Sequence, residues 1–506
     1  MIELTSQKIH RRIYNEENSK KNHLPPSLRR YDDKPACRRS ECWGVDKPYR
    51  YVALGDSTSM GYILNDFNWS HYHPDGASQH AVFALMKDWL ENTMHVKNLE
   101  AMDLTLTGCR PMELRALLDK DFFNRFCDTI NGNHLNYCDD HLDQYTHTWD
   151  RPEPYEVLNE RYTKAIKEAD VVTFDMVMAG TYGMVVALTG DVSEYYGYSS
   201  YAELLKGEGC EFMGNTVEAL RTSLEKLLGD SAAQLNGIID ALLCAYAGDV
   251  VNFSKAVELI YKLNPDVHLI VTGPYNSYDG ICLDLGGVQI DFGKIYGVLV
   301  QALTTHMITD KNAWRYRFAD CSGGVSTLKE ALARGEIDQY DEYVDNIIKY
   351  ALGDSKYTKK YNAEQIADMK AVITEVSKYN VFTLDGMIGA MTLTEGDKSL
   401  KRAITRDAKA TEADYMNLAG MVFMGMGHNA GTHPDNLGYQ QKFEATKRAF
   451  LSPVAANGAL LTRILDGTVG IVNNTVGLVF GNKTSIMKFV DFIKDLFTPL
   501  LRISLK

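Results

Sequence analysis

Short apolar segments recur along this chain, and segments with helical periodicity separate them. The apolar, strand-like segments span residues 51–54, 98–106, 171–177, 267–272 and 316–320. The segments in which apolar residues repeat every three or four positions span residues 78–94, 112–118, 155–169, 251–263 and 290–308. Strands joined through helices run parallel, because each crossover returns the chain to the edge where the previous strand began. The pattern therefore predicts an α/β fold with a parallel sheet of about five strands, covered by helices on both faces.

The composition supports a globular fold and argues against several functions. Of the 506 residues, 45% are hydrophobic and 24% are charged, which are ordinary values for a globular protein. The formal net charge is −13, so the chain lacks the excess of lysine and arginine with which proteins bind nucleic acid. Residues 1–48 contain no apolar segment typical of a signal peptide, and no apolar run reaches the roughly 18 residues of a membrane-spanning helix. We therefore expect a cytoplasmic location, with secretion as the alternative.

Three regions follow from the same patterns. Residues 1–48 are polar and aperiodic and predict a flexible N-terminal lead, residues 49–450 form the main domain, and residues 451–506 form an apolar helical tail. Within the main domain, residues 184–247 and 322–420 are mainly helical and interrupt the alternation of strands and helices, so we interpret them as insertions. The tail ends in a predicted amphipathic helix. Its apolar stripe is expected to pack on the core or mediate self-association, with a peripheral membrane contact as the alternative.

The segment from Gly55 to Gly61, Gly-Asp-Ser-Thr-Ser-Met-Gly, directly follows the first strand-like segment. A turn of small residues at this point would present the hydroxyl of Ser57 at the carboxyl edge of a parallel sheet, where sites in open α/β folds lie. The tetrapeptide Leu-Gly-Asp-Ser also ends at Ser231 and Ser355, but those copies follow helical patterns, in which the glycine is expected to end a helix. We therefore take Ser57 as the candidate nucleophile.

A second polar motif, Gly-Thr-His-Pro-Asp-Asn-Leu-Gly-Tyr, occupies residues 431–439. Pro434 restricts His433 to an extended backbone, so this loop can hold an imidazole in a fixed position above the sheet. A serine nucleophile needs a base, an oxyanion hole and a group that orients the base. His433 is the candidate general base for Ser57.

These motifs resemble those of the SGNH/GDSL hydrolase superfamily of esterases and lipases. The matching residues are Gly55-Asp56-Ser57 with Ser59 and Gly61, Gly108 within residues 106–110, and His433-Pro434 with Gly438. Residues 267–276 are also similar to the family's central strand and the turn that follows it. The resemblance covers about residues 51–183, 250–320 and 420–450, and it does not extend to the helical insertions or the tail.

The resemblance implies a flavodoxin-like three-layer α/β/α domain that hydrolyses acyl esters. Ser57 would form the acyl-enzyme and His433 would act as the base. The backbone N–H groups of Ser57 and Gly108 would donate hydrogen bonds to the oxyanion, because glycine lets the acyl group approach closely. The implied substrate is a small-molecule or lipid-like acyl ester, and no cofactor is implied.

Two positions depart from the family pattern. Gly180 or Thr181 stands where the family has an asparagine that donates to the oxyanion, and Thr181 could supply its hydroxyl instead. Ala430 stands where the family has the aspartate that orients the histidine, so Asn429 or a backbone carbonyl would have to orient His433. Loss of such groups typically lowers turnover by about 10² to 10⁴. A non-catalytic binding or scaffold protein on the same fold is therefore the alternative hypothesis.

Two further side chains could support the site. Asp56 directly precedes the nucleophile, and Arg110 follows Gly108. A guanidinium at that position could hold an anionic group of the substrate, or it could form a structural ion pair.

The remaining titratable residues are expected to be structural. A histidine-rich segment contains zinc-ligand side chains, but their spacing fits no standard site, so we expect a solvated loop and no metal: His134, Cys138, Asp139, Asp140, His141 and His147. His71, His73 and His428 are expected to be loop residues near the candidate site. The nine cysteines are either free thiols or include bridges within the pairs Cys37/Cys42 and Cys127/Cys138.

Overall fold

The computed structural model describes a large central part of the chain together with the segment that carries His433. The described residues are 47–62, 64, 66–67, 77–106, 109–131, 155–175, 198, 200–229, 232–233, 235–279, 282–285, 288–336 and 432–458. Contacts divide the chain into a small unit, Met1–Tyr49 with Leu90–Glu100, and a large unit, Arg50–Trp89 with Ala101–Lys506. Within the small unit, the Tyr49 N–H donates to the Asn98 carbonyl at 3.0 Å.

A five-stranded parallel sheet forms the centre of the fold. Its strands are β1 (Tyr49–Gly55), β2 (Leu99–Asp103), β3 (Val171–Asp175), β4 (His268–Thr272) and β7 (Arg317–Ala319), in the order β2-β1-β3-β4-β7. Two further strands, β5 (Cys282–Leu285) and β6 (Val288–Asp291), form a separate antiparallel hairpin. Counted among the strands of the large sheet alone, the order is 2-1-3-4-5, which is the flavodoxin-like order. The predicted α/β class is therefore confirmed.

Eleven α-helices are found among the described residues. They are α1 (Ser57–Met60), α2 (Val82–Asp88), α3 (Pro111–Leu118), α4 (Lys120–Asn131), α5 (Tyr155–Glu168), α6 (Tyr201–Gly207), α7 (Gly214–Leu228), α8 (Asn236–Leu263), α9 (Phe292–Thr309), α10 (Leu328–Ala333) and α11 (Asn436–Leu451). A π-helical turn, Trp89–Thr93, follows α2, and a 3-10 turn, Glu211–Met213, precedes α7. None of these helices is long and apolar enough to cross a membrane.

Both faces of the sheet are covered, because successive strand residues point to opposite sides. Val52, Leu54, Val172 and Phe174 share one face and belong to a large apolar cluster with side chains of α3, α5, α8 and α9. Helix α11 packs against β4 and β7 and against α2. The result is a three-layer arrangement with the sheet in the middle.

The predicted segments agree with the structure in type, and several differ in extent. The predicted helix over residues 78–94 is shorter, since α2 ends at Asp88 and a π-helical turn follows. The hairpin β5–β6 and helix α11 were not predicted. The described part of the first predicted insertion is helical, but α8 runs through its expected end at residue 247. Of the second predicted insertion only residues 322–336 are described, and the lead before residue 47 and the tail after residue 458 lie outside the described residues.

Candidate active site

Ser57 is the first residue of α1 and directly follows the β1–α1 junction at Asp56. The carboxylate of Asp56 caps the helix, because its Oδ1 accepts from the Thr58 N–H and from the Thr58 hydroxyl, each at 2.7 Å. At Gly55 a Cβ atom would lie 1.9 Å from the Ser59 hydroxyl oxygen, so only glycine permits this tight junction. Gly61 ends the turn with φ of +87°, which favours glycine as well. The small residues of the motif are thus required by the backbone that presents Ser57.

The structure brings Ser57 and His433 into contact although 376 positions separate them in the chain. The Nε2 atom of His433 lies 2.8 Å from the hydroxyl oxygen of Ser57. Both residues are buried, with 8% of Ser57 and 5% of His433 exposed. A hydrogen bond of this length between a serine hydroxyl and an imidazole is the contact that general-base activation requires.

The second ring nitrogen of His433 also has a neighbour. Its Nδ1 atom lies 3.2 Å from the hydroxyl oxygen of Thr432. If Nε2 is to accept the proton of Ser57, Nδ1 must carry the ring hydrogen, and the Thr432 hydroxyl then accepts it. The ring of Tyr62 lies beside the imidazole, with 5.0 Å between the ring centroids. The contact with Thr432 is therefore compatible with the tautomer in which His433 can act as a base.

The loop that carries His433 is fixed to the segment that follows β7. Pro434 forms an isolated β-bridge with Thr327, and the Asp435 N–H donates to the Ser326 carbonyl at 3.1 Å. The carboxylate Oδ2 of Asp435 accepts from the Ser326 hydroxyl at 2.8 Å and from the Arg334 guanidinium at 2.6 Å. These contacts hold the backbone on the C-terminal side of the imidazole.

Two more contacts complete this attachment. The Tyr275 hydroxyl, in the turn after β4, donates to the Thr432 carbonyl at 2.6 Å. The other carboxylate oxygen of Asp435 accepts from the Gly438 N–H at 2.7 Å and so caps α11. The imidazole is therefore positioned by groups that follow two different strands.

Helix α11 also contacts the nucleophile turn directly. The Gly61 N–H donates to the Tyr439 hydroxyl at 3.1 Å, and that hydroxyl donates to the Ser57 carbonyl at 3.3 Å. The ammonium of Lys442 donates to the Thr58 carbonyl at 2.9 Å. Thus the helix that follows the base also holds the backbone of the nucleophile.

Three buried charged side chains, Asp56, Asp175 and Lys442, lie close to the turn that carries Ser57. Lys442 Nζ is 2.8 Å from the carboxylate Oδ2 of Asp175, the last residue of β3. Burial, together with the nearby charge of Asp175, raises the pKa of Asp56 to about 6, and it does so against the opposing effects of Lys442 and of the bonds from Thr58. Asp56 directly follows β1, and Asp175 ends the neighbouring strand β3, where it is the register partner of Gly55.

The other predicted site residues have mixed outcomes. Arg110 is 2% exposed and forms a buried ion pair with Glu113 at the start of α3, which agrees with the structural alternative. Asp56 supports the site as the cap of α1. Several predicted residues lie outside the described part of the chain: Gly108, Gly180, Thr181, Asn429, Ala430, His428, Ser231, Ser355, His71, His73, the histidine-rich segment and the two cysteine pairs as pairs.

Sequence reasoning missed Thr432, Tyr439, Lys442 and Asp175. A signal for two of them, Tyr439 and Lys442, was present in α11, whose buried residues recur at helical spacing: Gly438, Tyr439, Lys442, Phe443, Ala445, Thr446 and Ala449. A lysine within such a stripe must meet a carboxylate, because burial of an unpaired ammonium is costly. The missing information was which carboxylate it meets.

The described side chains offer acid–base and nucleophilic chemistry. Among the described residues, no group of three or more histidine, cysteine, aspartate or glutamate side chains could hold a metal ion. Cys109, Cys210 and Cys321 are free, buried thiols, and Cys244 is also buried. Burial raises the pKa of Cys321 to about 12, so this thiol is a poor nucleophile. Ser57 with His433 is the pair suited to group transfer. No protein-family model matches the chain, and no curated protein matches its sequence.

Proposed function

We propose that this protein is a serine ester hydrolase that cleaves acyl esters through an acyl-enzyme on Ser57, with His433 as the base. The observation that carries the proposal is the 2.8 Å contact between the Ser57 hydroxyl oxygen and His433 Nε2 within a buried site. Tyr439 contacts the backbone of Ser57, whereas Asp435 and Tyr275 hold the segment that carries His433. Such preorganisation favours a reactive pair over a chance contact.

The reaction would proceed in two steps. In the first, Ser57 Oγ attacks the ester carbonyl while its proton passes to His433 Nε2, and the imidazolium then protonates the leaving alcohol. In the second, water attacks the acyl-enzyme, gives a proton to His433 and releases the carboxylic acid as Ser57 regains its hydrogen. The hydroxyl of Thr432 accepts the Nδ1 hydrogen throughout and stabilises the imidazolium.

The charge that develops on the carbonyl oxygen needs donors. The Ser57 N–H lies at the start of α1, and the family resemblance adds Gly108 with Thr181 or Gly180. The substrate class in this proposal is a small-molecule or lipid-like acyl ester, as the family resemblance implies.

The test compares purified wild-type protein with Ser57→Ala on p-nitrophenyl esters of graded chain length. We expect hydrolysis by the wild type and a loss of at least about 10³-fold in Ser57→Ala and in His433→Ala. Ser223→Ala is the matched control, because Ser223 is an exposed serine on α7 whose hydroxyl bonds only locally to Ala219. A fluorophosphonate probe should label the peptide that contains Ser57.

The alternative is a protein that binds an ester without cleaving it. The replacements at Gly180 or Thr181 and at Ala430 favour this alternative, since they remove two groups on which related sites depend. Equal inactivity of wild type and Ser57→Ala on every ester, together with no labelling by the probe, would refute the hydrolase and leave the binding protein.

A further inference from the structure

Lys442 is a fully buried lysine whose ammonium meets three acceptors. Its side chain is 0% exposed, and Nζ lies 2.8 Å from Asp175 Oδ2, 2.9 Å from the Thr58 carbonyl oxygen and 3.1 Å from the Thr58 hydroxyl oxygen. The two contacts with Thr58 are hydrogen bonds, and the contact with Asp175 is an ion pair. Two of the three acceptors belong to the residue that follows Ser57.

The same ammonium connects elements that are distant in the chain. Lys442 lies on α11, Asp175 ends β3, and Thr58 is 384 positions before Lys442 on α1. The Thr58 hydroxyl in turn donates to Asp56, so the contacts run from Asp175 through Lys442 and Thr58 to the cap of α1. Ring contact with Tyr275 at 5.7 Å from the ring centroid gives the ammonium a further favourable neighbour.

We propose that Lys442 is a positioning residue of the esterase, which fixes the nucleophile turn to the helix that follows His433. The proposal rests on the proposed function. Helix α11 begins at Asn436, three residues after His433, so its position sets the position of the imidazole. By holding the Thr58 carbonyl from this helix, Lys442 sets the distance between Ser57 Oγ and His433 Nε2.

A displacement of the nucleophile relative to the base is costly for turnover. A misplacement of about 1 Å can lower the rate by about 100-fold, while the binding of substrate changes little. A lysine that served only to neutralise Asp175 would have no such effect once both charges were removed. These two roles therefore make different predictions for variants in which the charge pair is absent.

The experiment compares Asp175→Asn with the double variant Asp175→Asn/Lys442→Met. In the single variant the ammonium keeps both bonds to Thr58 and retains Asp56 as a nearby carboxylate. In the double variant no charged pair is broken, but the bonds to Thr58 are gone. We expect kcat on a p-nitrophenyl ester to be about 100-fold lower in the double variant than in Asp175→Asn, with KM changed less than threefold. The rate of labelling by the fluorophosphonate probe should fall in parallel.

Urea unfolding and the conservative variant separate positioning from stability. Asp175→Asn/Lys442→Gln retains an N–H donor that can reach Thr58, so it should recover part of kcat. Equal kcat in all folded variants would overturn the proposal. Failure of both double variants to fold, while Asp175→Asn folds, would also overturn it, because Lys442 would then serve stability alone.

A measurement that needs no turnover keeps this test independent of the proposed function. In protein with isotope-labelled histidine, Ser57→Ala should shift the His433 imidazole signals in the Asp175→Asn background, because the hydroxyl contact is lost. In the Asp175→Asn/Lys442→Met background the same substitution should cause little shift. Wild-type protein that neither hydrolyses esters nor reacts with the probe would refute the proposed function, whereas an undiminished shift in the double variant would refute the role of Lys442.

Discussion

The hydroxyl oxygen of Thr432 lies 3.2 Å from the Nδ1 atom of His433. It takes the place that a carboxylate occupies in a serine–histidine–aspartate triad. A neutral hydroxyl can accept the Nδ1 hydrogen, but it stabilises the imidazolium less than a carboxylate does. The site is therefore expected to depend on Thr432 to a moderate extent.

We predict that Thr432→Val lowers kcat on a p-nitrophenyl ester by about 3- to 10-fold. This range corresponds to the loss of one neutral hydrogen bond of about 0.5–1.5 kcal/mol. KM should not change, because the hydroxyl does not contact substrate in the proposed reaction. Thr432→Ser keeps the acceptor and should retain most of kcat, and a valine variant as active as wild type would show that another group orients the ring.

Asp56 gives the protein a specific dependence of stability on pH. Its pKa is raised from an ordinary value of 3.8 to about 6, mainly by burial and then by the charge of Asp175, against Lys442 and the bonds from Thr58. Between these two values the folded protein binds a proton at Asp56 that the unfolded chain does not. The stabilisation from this proton is full below about pH 4 and is lost as the pH rises through about 6.

We predict that Asp56→Asn removes this pH dependence. Asparagine retains a carbonyl oxygen that can accept from the Thr58 N–H, and it leaves Lys442 paired with Asp175. The free energy of unfolding of wild type minus that of Asp56→Asn should fall between pH 4 and 6 and then remain level. Urea unfolding at pH 4, 5, 6 and 7 measures this difference. A difference that rises with pH would contradict the assigned direction of the pKa shift.

The sequence was sufficient to predict that Ser57 and His433 meet, because each lies in a short motif whose backbone requirements are local. Gly55 and Gly61 are needed for the turn itself, and Pro434 restricts the residue before it. Lys442 and Asp175 could not be predicted in the same way. Their pairing depends on the packing of α11 against β4 and β7, which no local pattern specifies.

Helix α11 is the element on which the geometry of the site depends most. It begins at the cap formed by Asp435 and immediately passes the segment after β7. At Gly438 a Cβ atom would lie 2.0 Å from the Ser326 carbonyl oxygen, which belongs to the backbone and cannot move aside cheaply. Close packing of two backbones at this point thus requires glycine.

We predict that Gly438→Ala lowers the free energy of unfolding by about 1–3 kcal/mol, because the added methyl group forces α11 away from Ser326. Activity should fall as well, since His433 precedes this helix. Gly237→Ala is the matched control: Gly237 is near the start of α8, and a Cβ atom there would meet nothing within 4 Å. That variant should be as stable as wild type or more stable. Urea unfolding and ester hydrolysis measure both effects.

Periodicity predicted the strands of the sheet and the helices between them, and it failed at helix ends that depend on contacts with other segments. The helix predicted over residues 78–94 ends early at the π-helical turn that begins at Trp89, whose ring packs against Phe450 of α11. The predicted helix over residues 290–308 begins at Phe292 because residues 288–291 pair in the hairpin. In both places a contact that is distant in the chain or specific to the hairpin overrides the local pattern.

The two faces of the sheet carry different kinds of contacts. On the side of α11, Lys442 pairs with Asp175, whereas on the opposite side apolar side chains of β1 and β3 pack against α3, α5, α8 and α9. Arg115 joins helices within that second layer, since its guanidinium donates to Asn252 at 2.9 Å and to Glu208 at 2.8 Å and lies over the ring of Phe122. Stability and activity should therefore respond to different substitutions.

We predict that Arg115→Ala lowers the free energy of unfolding by about 3 kcal/mol, because it removes the donor to the Asn252 side-chain oxygen and to Glu208 Oε2 within a nearly fully buried ion pair. The kcat of the molecules that remain folded should stay within about twofold of wild type. Arg125→Ala removes the exposed partner of the same Glu208 carboxylate and should cost less than about 1 kcal/mol. A large loss of kcat in folded Arg115→Ala would show that the two layers are coupled.

The parallel sheet follows from the alternation of strand-like and helical segments, which is why the fold class was predictable. The first strand and its glycines predicted the position of Ser57 in the fold, and the order of the two motifs along the chain suggested His433 as its partner. The burial of Asp56, Asp175 and Lys442 was not predictable. It results from three separate segments that meet only when the sheet is complete.

The 376 positions between Ser57 and His433 also have a consequence during translation. A ribosome synthesises β1 and the turn that holds Ser57 long before it synthesises His433 and α11. Until α11 emerges, the nascent chain holds Ser57 without the imidazole that lies beside it in the folded protein. The same interval leaves β4 and β7 without the helix that covers them, so this face of the sheet is completed only after residue 451 has been translated.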